Sequence, residues 1–276
     1  MKRLLHIEWL KLKNYRPFWI LTGLYSLLVS IVCVGIHYFF IFLRNEGLDF
    51  DGFDPTIIPF YDFPDIWQNI TYFATYFKLF LAFLVIISVA NEVSFRTLRQ
   101  NIIDGMSKQE WIQSKLILIG CLALAATLLL FILGLATGLI LSHPDGYPYI
   151  LHSTQFLFAY FLEVFTFLSF AMLLTLIIRR SGFIIVGLIM YTLAFEPFIA
   201  LLMMHPPQEL NFPAITRDIA QFLPIRALNN LITVPYQRYA LREIQDYVSL
   251  KAVLIVIAWL VFYVWMSYLI LKRRDL

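Results

Sequence analysis

Lys78, Glu163 and Glu196 are single charged residues set inside long apolar runs of the chain. On insertion scales a central Lys or Asp costs about 2.5–3.5 kcal/mol, so each of the three needs a partner or water. Three chemistries are open to them. Lys78 can form a structural ion pair with one glutamate, the groups can line a path for a polar cargo, or Lys78 can snorkel alone to the nearer surface. Counted at about 1.5 Å per residue from the ends of their runs, Lys78 and Glu196 fall in the outer half and Glu163 near the middle. Pro197 follows Glu196 directly. It frees a backbone carbonyl one turn back and marks a bend, which puts Glu196 at a moving part.

A second group with chemical potential lies between two apolar runs, in the stretch "EVSFRTLRQNIIDGMSKQEW" from Glu92 to Trp111. Phe95, Leu98 and Ile102 recur at i, i+3 and i+7, the spacing of one apolar stripe on a helix. Arg96, Arg99 and Gln100 lie off that stripe. Gly105 suits the left-handed position just past a helix end, and Ser107 to Glu110 is an S-x-x-E capping box that starts the next helix. The expectation is a short amphipathic helix held at both ends by continuous spans, of the kind that inserts into a groove on a partner. An interfacial helix with no partner is the alternative.

Catalytic chemistry is not encoded in recognisable form. The chain has no G-x-x-x-x-G-K-[ST] phosphate loop, no G-x-S-x-G and no H-E-x-x-H. The histidines at 6, 37, 143, 152 and 205 are scattered over different segments. His37 alone lies in an apolar run, near its outer end, and reads as an interface residue. The two cysteines, Cys33 and Cys121, sit inside apolar runs and read as packing residues. Asn69-Ile70-Thr71 matches a glycosylation tripeptide, a pattern common by chance.

The elements that must position these residues follow from composition. The chain of 276 residues is 61% hydrophobic and 14% charged, whereas soluble domains are roughly 45–50% apolar and about 25% charged. Six apolar runs, near residues 17–43, 72–90, 116–141, 154–178, 183–204 and 248–271, approach or exceed the roughly 20 residues of a membrane span. Lipid satisfies no backbone hydrogen bonds, so all six must be helical. The fold class is therefore all-α, a polytopic membrane protein in one domain over residues 1–276. Net charge is only +3 and gives no reason to expect nucleic acid.

Orientation rests on where Lys and Arg fall. Lys2, Arg3, Lys11, Lys13 and Arg16 precede the first run, and Arg96, Arg99, Lys108 and Lys115 lie between the second and third. Arg179 and Arg180 lie between the fourth and fifth, and Lys272, Arg273 and Arg274 follow the sixth. The first intervening loop carries Arg44 against Glu46, Asp49, Asp51, Asp54, Asp62 and Asp65. The positive-inside rule then places both termini and the Glu92–Trp111 stretch in the cytoplasm. Arg217, Arg226, Arg238 and Arg242 on the last outer loop run against this assignment and are outvoted.

Two segments are not spans. Residues 1–16 form an interfacial helix with Met1, Leu5, Trp9 and Leu12 on one side, or else only a cationic flank that sets topology. Residues 205–247 stay apolar but are cut by Pro206, Pro207, Pro213, Pro224 and Pro235. They are expected to form short re-entrant helices packed on the spans, with a folded cap outside the membrane as the alternative.

Taken together, the chain resembles the membrane subunits of ABC transporters of the ABC-2 permease class. The resemblance covers the whole chain: an amphipathic N-terminal helix, six spans, Glu92 closing span two, Thr97-Leu98, then Lys108 and Lys115 ahead of span three, and a broken helical loop before span six. It departs from the family pattern at Arg96, where a Gly usually precedes the Thr-Leu pair. The resemblance implies that residues 91–111 are a coupling segment, with Glu92, Phe95, Arg96, Leu98, Arg99 and Ile102 at the contact with a separate ABC ATPase. It further implies a permease subunit of an ATP-driven exporter that is not itself an enzyme. ATP and Mg would be held by the partner, and a second copy or a paralogue would complete the pathway. The expected location is a bacterial inner membrane, in contact with lipid. A membrane scaffold or assembly factor that holds a soluble partner without transport is the alternative function.

Overall fold

The computed structural model describes residues 2–45, 60–178, 180–205, 215–235 and 247–273. Glu46, Asp49, Asp51, Asp54, Arg179, Arg238, Arg242, Arg274, Met1, Pro206, Pro207 and Pro213, which enter the orientation and loop arguments above, lie outside the described residues. Helix dominates, and six helices are long and apolar enough to cross a membrane: Arg16–Phe39, Ile66–Ser94, Lys108–Leu141, Gln155–Ile178, Ser181–Met204 and Leu250–Lys272. Their order and number match the six apolar runs. Two begin earlier than the runs suggest, because the first turns of spans two and three carry polar residues that pack inside the protein.

In chain order the elements are α1 (Lys2–Lys13), α2 (Arg16–Asn45), α3 (Ile66–Ala74), α4 (Lys78–Ser94), α5 (Thr97–Ile103) and α6 (Lys108–Leu141). Then follow α7 (Gln155–Ile178), α8 (Ser181–Met190), α9 (Glu196–Met204), α10 (Ile215–Ala220), α11 (Pro224–Asn229) and α12 (Leu250–Lys272). A 3-10 turn, Thr75–Phe77, joins α3 to α4, and a π turn, Tyr191–Phe195, joins α8 to α9. The end that carries α1 and α5 is called the coupling end below, and the opposite one the loop end.

The bundle is built around α7, which packs against α4, α6 and α12. Its central stretch is 67% buried, against 17% for α2 and for α12. Those two outer helices present Trp19, Ile20, Leu27, Leu254, Val261 and Trp265 outward, as expected of surfaces whose solvent is hydrocarbon. Between membrane helices water supplies no hydrophobic drive, so close packing and polar contacts hold the bundle. Gly134 on α6 is one such contact. A Cβ there would lie 2.6 Å from Ile70 Cδ1 and 2.8 Å from Trp67 Cζ3, too close for any side chain. Polar contacts link the outer helices to the centre: the Tyr25 hydroxyl on α2 and the Tyr160 hydroxyl on α7 are 2.6 Å apart. Tyr61 donates to the Cys33 carbonyl at 2.6 Å and accepts from the His37 N–H at 3.0 Å, so its hydroxyl enters the α2 hydrogen-bond ladder.

At the loop end, the chain between spans five and six folds back on the bundle. α11 starts at Pro224, as the proline spacing predicts, and buries Ile225, Ala227 and Leu228. The Trp259 indole N–H donates to the Phe222 carbonyl at 2.9 Å. Trp259 stands nine residues into α12, about 14 Å along its axis, so this segment lies beside the span rather than above it. Gln68 on α3 adds bonds to the Thr233 carbonyl and hydroxyl at 3.1 and 3.0 Å.

α1 corrects the expected stripe. Leu4, Glu8 and Leu12, at i, i+4 and i+8, form its buried face, while Leu5 and Trp9 are exposed. The helix packs against α6 with a glutamate at the centre of the contact.

Candidate coupling site

α5 is punctuated as its sequence requires. The Gly105 N–H donates to Ile102 O at 3.1 Å and the Met106 N–H to Asn101 O at 2.9 Å, the paired bonds of a Schellman end, with Gly105 at φ +98°. The Ser107 hydroxyl accepts from the Glu110 N–H at 3.1 Å, and the Glu110 carboxylate accepts from the Ser107 N–H at 2.9 Å. That closed capping box starts α6.

The start of α5 differs from the expected continuous stripe. Phe95 belongs to the end of α4, and Arg96 adopts a left-handed conformation at φ 57° before α5 begins at Thr97. This is the position where the family pattern has Gly, the residue that takes such a φ without a Cβ penalty. Because the chain turns there, Phe95, Leu98 and Ile102 do not share a face. Leu98 is 2% exposed and points inward, Ile102 is half-buried, and Phe95 is 75% exposed. The outward surface includes Phe95, Arg96, Thr97, Arg99, Gln100, Ile103 and Asp104. Two apolar side chains flanked by two guanidiniums form a surface suited to a partner groove. Ile103 was missed from sequence because it falls off the assumed stripe.

Flanking α5 in the chain is a charge cluster drawn from three segments, with Glu8, Glu92 and Lys115 buried and Lys11 at its solvent edge. The Lys115 ammonium, 1% exposed, lies 2.6 Å from Glu8 Oε2 and 2.6 Å from Glu92 Oε1. Lys11 donates to Glu8 Oε1 at 3.1 Å and to Glu92 Oε1 at 2.9 Å. The Trp111 indole N–H donates to Glu92 Oε2 at 2.7 Å, and the Ser114 hydroxyl to Glu8 Oε1 at 3.3 Å. Two cations and two anions alternate, each with at least two partners. Such closure is what makes buried charge tolerable, since an unpaired ion there costs several kcal/mol. Burial works to lower the Lys11 pKa, but the Glu92 and Glu8 carboxylates outweigh it and hold the group above its ordinary value. A raised lysine pKa stabilises the fold below the unfolded value and is lost only as pH rises through the folded one. Lys11 is therefore charged throughout the neutral range.

Geometrically, the cluster bolts α1 to the end of α4 and the first turns of α6, on either side of α5. Glu92 and Lys115 carried a signal in the family pattern. Glu8 and Lys11 carried none, since their partners on α4 and α6 are more than 80 residues away.

The intramembrane charges do not all meet. Lys78, at the first position of α4, pairs with Glu163 on α7, and its ammonium also lies 5.1 Å from the centre of the Phe167 ring. Glu196 is occupied elsewhere: its Oε1 accepts from the Arg226 N–H in α11 at 2.7 Å, a charge-assisted bond to backbone. The bend expected at Pro197 is the π turn just before it, where the Glu196 N–H donates to Tyr191 O, five residues back. Pro197 has no N–H to give, and its ring would meet the carbonyl of Leu193. Widening the preceding turn relieves that conflict.

Comparison with protein-family models gives a match over residues 3–276 to the family described as ABC-2 family transporter protein. A search of curated proteins finds no match.

Proposed function

The chain belongs to the ABC-2 family of transporter proteins, a multi-pass membrane permease of an ABC transporter, and on that premise we propose that it is the permease subunit of an ATP-driven exporter. A separate ABC ATPase binds ATP and Mg and docks on the surface formed by Phe95, Arg96, Arg99 and Ile103. Closure of that motor presses on α5, and the Glu8–Lys11–Glu92–Lys115 clamp carries the displacement into α4, α6 and α1. The coupling end and both termini then face the cytoplasm, consistent with the Lys and Arg pattern. A second copy or a paralogue supplies the other half of the pathway.

The observation that carries this reading is an exposed apolar pair, Phe95 and Ile103, on a short helix whose flanking segments are tied together by a paired charge cluster. A merely interfacial helix needs no such foundation. The double variant Phe95→Asp, Ile103→Asp tests it. Both side chains are exposed, so the fold is retained, while two carboxylates at a closed contact are strongly unfavourable. Affinity for an ABC ATPase that forms a complex with the parent chain is expected to fall about 100-fold or more, read by co-purification and by titration of the purified subunits. Retention of the complex at full affinity would place the contact elsewhere. Leu98→Asp is unsuited to this purpose, since Leu98 faces inward and its replacement disturbs the fold.

A further inference from the structure

At the loop end a cavity of about 420 Å³ opens between α3, α4, the α8–α9 break and the segment that follows α11. Its wall grades from Tyr76, 57% exposed, to Lys78 and Glu163, 4% and 0% exposed, at its deep end. Leu79, Pro197, Ile232 and the exposed Leu193 give the wall its apolar part, while Thr192, Arg226, Asn229 and Asn230 add polar groups. A pocket of mixed lining with a buried ion pair in its wall, set in the side of a membrane helix bundle, has the shape of a receptor for an amphiphile: head group inside, chain left in the bilayer.

Charge narrows the head group. Glu163 gives one oxygen to Lys78, while its second oxygen, Oε2, is buried without a hydrogen-bond partner among the described residues. The Thr192 hydroxyl is buried and unpartnered in the same sense. The π turn places Thr192 on this wall, and such turns recur at functional sites. Lys78 has three donors and uses one on Glu163. The deep end thus offers an acceptor that wants a cationic N–H and a donor that wants an anion, with the Arg226 side chain as a second cation on the wall. A purely anionic head would leave the Glu163 oxygen unsatisfied, and a purely cationic one would leave the two spare donors of Lys78 unused and bring a cation beside the Arg226 side chain.

From this arrangement we infer that the cavity binds a zwitterionic head group with a primary ammonium and a phosphate, of the phosphoethanolamine type. The ammonium donates to Glu163 Oε2, and the phosphate accepts from Lys78, Arg226 and Thr192. The inference concerns binding by this chain alone and does not rest on ATP-driven transport.

The test uses the full chain purified in uncharged detergent, without ATPase. The probes are phosphatidylethanolamine, phosphatidylcholine and phosphatidylglycerol at equal mole fraction, and free phosphoethanolamine. Lipid retention is read by native mass spectrometry and stabilisation by the thermal midpoint. Phosphatidylethanolamine is expected to bind about tenfold or more tightly than either other lipid, the worth of one charge-assisted hydrogen bond. Choline cannot donate, and glycerol carries no cation. Glu163→Gln should erase the preference, and Thr192→Val should weaken phosphatidylethanolamine binding severalfold. Should Glu163→Gln not fold, Thr192→Val decides. Competition by free phosphoethanolamine would show that the head group alone suffices; binding of the lipid only would show that the anchored chain is required. Equal retention of the three lipids, no binding of either phosphoethanolamine source, a preference that survives in folded Glu163→Gln, or undiminished phosphatidylethanolamine binding in folded Thr192→Val overturns the inference. Because no ATPase is present, such a failure leaves the coupling proposal standing.

Discussion

Replacing Lys115 by Met is expected to destabilise the protein by about 3–5 kcal/mol and to release α1 from the bundle. The variant leaves the Glu8 and Glu92 carboxylates buried beside one another, with only the half-buried Lys11 between them. The Met side chain fills most of the lost volume, so the loss reports charge rather than packing. Two readouts follow it: the thermal midpoint in detergent, and the reaction of a cysteine at Leu12, a residue 4% exposed in the intact protein. Label reactivity at position 12 should rise as α1 leaves α6. Adding Glu8→Gln to Lys115→Met removes one of the stranded charges and should recover part of the stability. The non-additivity of that pair measures their interaction. Strict additivity, or an unprotected position 12 in the parent chain, would mean that the four charges do not act as one unit.

Lys78→Met is expected to cost a similar amount, again about 3–5 kcal/mol, because it strands the Glu163 carboxylate at a site with no solvent exposure. The double variant Lys78→Met, Glu163→Gln should recover much of the loss, since a neutral amide replaces an isolated ion. Lys78→Met combined with Glu196→Gln should recover none of it, because Glu196 is bonded to the Arg226 N–H and not to Lys78. Thermal midpoints of the three single and two double variants decide the matter. Rescue by the Glu196 change, or additivity with the Glu163 change, would reassign the partner.

Much of the architecture was legible because its causes are local. Six runs of apolar residues can satisfy their backbone in lipid only as helices, and the structure has six such helices in the same places. Gly105 and Ser107–Glu110 act within one turn of themselves, so the punctuation of α5 could be read from a dozen residues. What the sequence hid is non-local or conformationally silent. Arg96 gives no sign by its residue type that it will take a left-handed φ, and that one angle moves Phe95 off the face of Leu98. Glu8 looks like a polar-face residue of an amphipathic helix, yet it is the centre of the buried face, because Lys115 waits on another segment. Depth put Glu196 in the same outer half as Lys78 and Glu163 near the middle, and the sequence did not decide between them. The choice was made by α11, whose backbone N–H engages Glu196.

The proposal that most needs testing is that load on α5 reaches the far end of the spans through the Glu92–Lys115 contact. Spin labels at Tyr76 and Ile140, exposed positions in the loop-side half of span two and at the loop end of span three, measure this directly. The background has Cys33 and Cys121 replaced by Ala, and the permease–ATPase complex is compared with and without a non-hydrolysable ATP analogue. Helix displacements in such switches are about 1–2 Å or more. The expected result is a change of at least that size in the inter-label distance on nucleotide binding, which Glu92→Gln abolishes while the ATPase stays bound. An unchanged distance in the parent complex, or the same change with and without Glu92→Gln, would contradict transmission through the clamp.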